Sequence, residues 1–119
     1  MDIDASFTEL LDIAKQIGAG IVPEYQNSAT FTVGAFDLAF AKLRDGDAFT
    51  LISHACREYP AVKSDSALLR GYLFMITDLA QRTNTTEIPD GIDVIIDDNP
   101  TQTTTLQEWY RIGPSPKEM

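Results

Sequence analysis

The stretch SALLRGYLFMITDLAQR, residues 66–82, constrains this chain more than any other. Leu68, Leu69, Tyr72, Leu73, Ile76, Leu79 and Ala80 recur at three- and four-residue intervals. That is the period of an α-helix with one apolar stripe, which water drives into a core. The same stretch carries a second apolar face made of Ala67, Gly71, Phe74 and Met75. A glycine inside a helix costs on the order of 1 kcal/mol against alanine, so Gly71 calls for a packing reason, the close approach of another backbone. Two readings follow. The helix is sandwiched inside its own bundle, or Gly71, Phe74 and Met75 form a surface for self-association or for a partner.

Other segments repeat the helical period. SFTELLDIAKQIGAG has apolar residues at Phe7, Leu10, Leu11, Ala14 and Ile17. Its Ser6 and Glu9 have the spacing of a capping box, and Gly18 and Gly20 suit its end. GAFDLAFAKLR, from Gly34, is apolar nearly all round, which marks a central helix. Gly46 suits a left-handed exit from it, and Asp47 suits the N-cap of the next helix. That next helix, AFTLISHACREY, carries Phe49, Ile52, Cys56 and Tyr59 and is expected to stop at Pro60. Segment 21–33 holds Pro23 and the pair Asn27-Ser28, and its TFTV fits either a short strand or the lead-in to a helix.

Beyond residue 82 the pattern changes. IPDGIDVIIDDNP, residues 88–100, holds four aspartates among five β-branched apolar residues and no basic residue. Ile92, Val94 and Ile96 alternate with Asp93, Ile95 and Asp97, so the spacing predicts a short strand or extended segment near 92–96. A lone strand needs a partner, and TFTV is the internal candidate; failing that, the edge pairs with another chain. Thr105 and Glu108 offer a second capping box ahead of a small C-terminal helix bearing Leu106, Trp109 and Tyr110.

The fold class these elements imply is mainly α: a compact bundle of four core helices, the segment near 92–96 and the small C-terminal helix. At 119 residues the chain is one domain by size. Residues 1–113 make a single helical domain, and PSPKEM, 114–119, makes a frayed tail.

Charge narrows the function. Eighteen acidic side chains against nine basic ones leave a net charge of −9. Phosphate affinity comes from lysine and arginine, so direct binding of nucleic acid is not expected, nor is adhesion to an anionic membrane. A basic protein partner fits the charge, as does a plain need for solubility. The opening MDIDASF has neither a basic nor an apolar leader region, and no apolar run approaches the roughly 18 residues that span a bilayer. The single cysteine excludes an internal disulfide, so a cytoplasmic setting is expected.

Catalytic chemistry finds few footholds. His54 and Cys56 are two residues apart, which on a helix points them to different sides, so they cannot share a proton. Asp97, Asn99, Thr101 and Glu108 echo a calcium loop, but Pro100 and Gln102 stand where that loop needs freedom and a glycine. No catalytic residue, metal or cofactor is therefore assigned. The reading is a non-enzymatic interaction module (an adaptor, chaperone or inhibitor) that docks a basic protein, one version being nucleic-acid mimicry. Asp90, Asp93, Asp97 and Asp98, together with Gly71, Phe74 and Met75, are the candidate contact residues, and a homodimer through the latter face is a second expectation. The rival reading is a small enzyme or ligand binder using carboxylates such as Asp37 or Asp78 in a helical cleft.

Overall fold

The computed structural model describes residues 2–20, 40, 41, 43, 44 and 46–113. Among them the protein is mainly helical, with five helices and no strand. These are α1 (Ile3–Gly18), α2 (Asp47–Val62), α3 (Ser66–Arg82), α4 (Ile92–Asp98) and α5 (Thr104–Tyr110). The helix expected from Gly34 and the ambiguous segment 21–33 lie outside the described residues, apart from a few at the C-terminal end of the former. One of those, Phe40, is buried in the core, 3% exposed. The tail 114–119 also lies outside.

The centre of the fold is α3. α1 and α2 both pack along it, α5 closes against it, and α4 rests on α2. Its apolar stripe is buried as its spacing requires: Tyr72, Ile76, Leu79 and Ala80 have no exposed surface. The second face is partly consumed as well. A Cβ placed on Gly71 would overlap the backbone of Ala14, and one on Gly18 would overlap the carbonyl of Ala67. The order of those pairs shows that α1 and α3 run antiparallel, backbone against backbone. Glycine is needed at both points because any side chain would hold the helices apart.

Several boundaries differ from the sequence expectation. α1 begins a turn earlier than Ser6: Asp2 is its N-cap, accepting from the Ala5 amide at 3.2 Å. The extra turn brings half-buried Ile3 against the core. Gly46, at φ +88°, is the N-cap of α2, and Asp47 is its first helical residue. The Asp47 carboxylate turns back to accept from the Arg44 amide at 2.9 Å. Pro60 does not stop α2, which continues to Val62. Proline's fixed φ is helical, its loss is one hydrogen bond, and Val62 at 5% exposure anchors the final turn in the core.

The segment near 92–96 is a helix and not a strand. Two periods coexist in GIDVIID, and tertiary burial selects between them. Ile92, Ile95 and Ile96, at helical spacing, are all 0% exposed, while Val94, which strand alternation would have buried, is 48% exposed. The capping box expected at Thr105 and Glu108 is also absent. α5 starts at Thr104 after Thr103, whose hydroxyl donates to the Asn99 carbonyl at 2.7 Å and caps nothing.

Gly71→Ala should destabilise the protein in spite of alanine's higher helix propensity. The forced separation of α1 and α3 should outweigh that gain by about 1–3 kcal/mol, read as a lower urea midpoint. An unchanged or raised midpoint would show that the helices do not meet at this glycine.

Candidate functional site

The acidic segment is held against the body of the protein by a set of tethers on its inner side. After α3, Asn84 adopts φ +54° and turns the chain. Trp109 Nε1 then donates to the Thr85 carbonyl at 2.9 Å, tying the incoming segment to α5. Pro89 is buried, and Gly91 at φ +98° starts α4 directly above Cys56. A Cβ on Gly91 would come within 3.0 Å of the Cys56 Cβ, so the entry into α4 passes close over α2.

The exit from α4 is pinned by a polar cluster that sequence reasoning missed. Asn99, 8% exposed, donates from Nδ2 to the Tyr59 hydroxyl and to the Ile95 carbonyl, each at 3.0 Å. The Tyr59 hydroxyl in turn donates to Asp98 Oδ2 at 2.9 Å. Lys63 Nζ stands 3.8 Å from the same oxygen. Gln107 Nε2 adds a bond of 2.7 Å to the Pro100 carbonyl, which locks the turn into α5. The Tyr59 hydroxyl is held above its ordinary pKa, first by burial and then by its bond to Asp98, while the Asn99 bond opposes the shift. The signal that could have revealed the cluster is the helical run Ile92, Ile95, Ile96, Asn99, which extends the inner face of α4 to an amide.

What remains outside is acidic. On α4 the residues opposite the buried isoleucines are Asp93, Val94 and Asp97, and Asp90 precedes them by one turn. Asp90 and Asp93 are exposed, Asp97 is half-buried, and Asp98 is committed in part to Tyr59 and Lys63. Ile88, 46% exposed, and Val94 lie among these carboxylates. The three α3 candidates separate from one another. Gly71 faces Ala14 and Met75 is 0% exposed, both inside the protein, whereas Phe74 is 44% exposed.

The one cysteine is packed in the core, and the one histidine is half-buried beside it. His54 stands edge-on to Phe7 with ring centroids 4.7 Å apart, and Phe7 also meets Tyr72. Cys56 is buried, and its thiol is pushed up to about 12 from 9.0. Burial is the main cause; the carboxylates of Asp93 and Asp90 reinforce it, and Arg57 opposes it. A thiol so held is almost wholly protonated at neutral pH and is a poor nucleophile. Tyr72 donates its hydroxyl to the Ala55 carbonyl at 2.6 Å, and burial raises both Tyr72 and Tyr110. Among the described residues no group of three His, Cys, Asp or Glu side chains is placed to hold a metal ion. No helix among them is long and apolar enough to cross a membrane.

Comparison with family models, with curated proteins and with solved structures finds no match to this chain.

The buried thiol and phenols make a pH prediction. Each has a folded-state pKa above its unfolded value, so the folded state holds protons that the unfolded state releases. The resulting stability is fully present below about pH 9, where the unfolded Cys56 thiol titrates, and is lost as pH rises towards 12. Urea midpoints should fall steadily between about pH 9 and 11, and Cys56→Ala should make the fall shallower. Identical slopes for the two proteins would show that Cys56 is not held protonated by the fold.

Proposed function

We propose that the protein is a non-enzymatic cytoplasmic interaction module, an adaptor, chaperone or inhibitor, whose acidic α4 surface docks a basic protein. The observation that carries this reading is the two-sided build of α4. Three isoleucines anchor it with no exposed surface, and the opposite side presents Asp93 and Val94, with Asp90 and Ile88 just ahead of it. Carboxylates interleaved with half-exposed aliphatic side chains suit a partner with lysines or arginines around apolar anchors: the charges steer approach and the apolar contacts hold it. The inner tethers support the same reading, since a surface fixed in advance loses little entropy on binding. Mimicry of nucleic-acid phosphates by these carboxylates is one form such docking takes, in which the partner is a nuclease or DNA-binding protein.

The enzyme or ligand-binder reading has less behind it. A cleft beside α3, about 740 Å³, has Arg70 as its one charged lining residue among those described. Asp78 is half-buried on α3, and Asp37 lies outside the described residues.

Affinity capture from the native host, followed by mass spectrometry, identifies the partner, and a double variant tests the surface. Asp90→Asn with Asp93→Asn removes two exposed charges and leaves the Tyr59–Asp98–Asn99 cluster whole. The captured partner should be basic, should bind at least about tenfold more weakly to the variant, and should lose affinity as salt rises. Undiminished binding to the variant, or affinity indifferent to salt, would overturn the proposal.

A further inference from the structure

The docking of a basic protein by α4 leaves the cleft beside α3 without a role. At about 740 Å³ it lies within the size range of small-ligand sites. Leu69, Leu73 and Phe74 give it an apolar wall, and Asn99 and Gln102, from the turn between α4 and α5, face that wall. Leu73 is buried, Leu69 is half-buried and Phe74 is 44% exposed, so the wall runs from the core out to solvent.

The polar members of the α3 wall gather at one end. Ser66 and Arg70 are one helical turn apart on the same face, and Leu73 and Phe74 follow a turn further on. From Ser66 to Phe74 the wall is about 12 Å long. Arg70 is the one charged lining residue among those described. One of its nitrogens donates to the Gly18 carbonyl at 3.0 Å, which fixes the side chain against the end of α1. A guanidinium carries five N–H donors, so this bond leaves others for a ligand. Asp65, the carboxylate next to Ser66 in the chain, accepts from the Leu68 amide at 3.1 Å as the N-cap of α3.

The chemistry of an occupant follows from that layout. In a chain of net charge −9, a lone cation at the end of an apolar trough favours an anionic head group and an apolar body. One guanidinium matches the single charge and planar fork of a carboxylate. A phosphate dianion finds no second cation among the described lining residues. We propose that the cleft binds a hydrophobic monocarboxylate, the free acid of an acyl chain of about ten carbons. Its carboxylate sits on Arg70, and its chain lies along Leu69 and Leu73 towards Phe74. The site is separate from the carboxylate surface on α4 and meets that helix only at Asn99, its C-cap.

Decanoate, titrated into the full chain at neutral pH and near-physiological salt, should bind one site with a Kd between about 10 µM and 1 mM by calorimetry. Octanoate should bind severalfold more weakly, since each methylene taken out of water adds affinity. Amide NMR shifts on binding should centre on residues 66–74, 99 and 102. Arg70→Gln should weaken decanoate binding at least about tenfold. Arg70 also fastens the end of α1, so should that variant not fold, Phe74→Asp decides. Position 74 is exposed, and a carboxylate there stands one turn from Arg70, opposing the ligand's charge as the ring is lost. It should likewise cost at least about tenfold in affinity. No saturable binding below about 5 mM, an affinity indifferent to chain length, shifts centred elsewhere, or undiminished binding to either folded variant would overturn the proposal.

Discussion

The contact on which the rest of this protein depends is the meeting of two backbones. α1 and α3 cross so closely at Gly71 against Ala14, and at Gly18 against Ala67, that neither glycine has room for a single added carbon. Close approach multiplies dispersion contacts along both helices and brings Phe7 and Leu10 onto the stripe of α3. It also settles the orientation of α3. With one edge pressed to α1 and its broad stripe to α2, α3 can present to solvent only the narrow arc that holds Arg70 and Phe74.

A second constraint determines what the acidic segment can be. Three isoleucines enter the core from α4, and such anchoring requires its polar ends to be satisfied nearby. Gly91 supplies the left-handed entry over Cys56, and Asn99 closes the exit through Tyr59 and the Ile95 carbonyl. Asp98 is drawn into that closure, so the carboxylates of this segment divide between a structural task and an outward one. The same core holds Cys56, Tyr72 and Tyr110 in their protonated forms, chiefly by burial.

Much of the fold was legible in the residues because long helices announce themselves. Seven apolar residues of 66–82 at helical spacing leave no strand alternative, and the apolar stripe of α1 is nearly as plain. Ends were less legible. Asp2 and Ser6 are both chemically able to cap α1, and only the burial of Ile3 favours the earlier one. Pro60 reads as a stop locally, yet the core contact of Val62 carries α2 past it. The segment 92–96 suggests a strand because four of its five residues are β-branched, which favours strands, and because Ile92 and Ile96 fit both a two-residue and a helical period.

From its residues alone, the chain determined that it would be helical and acidic, with one histidine and one cysteine, because periodicity, net charge and residue counts are local or additive properties. It also determined that Gly71 must sit against something. Only tertiary structure decided what that was, since the partner, Ala14, lies 57 positions away and spacing carries no information on which helices meet. The same holds for α4: a seven-residue segment is too short to impose its own conformation, and the vacancy beside α2 that accepts three isoleucines made it a helix.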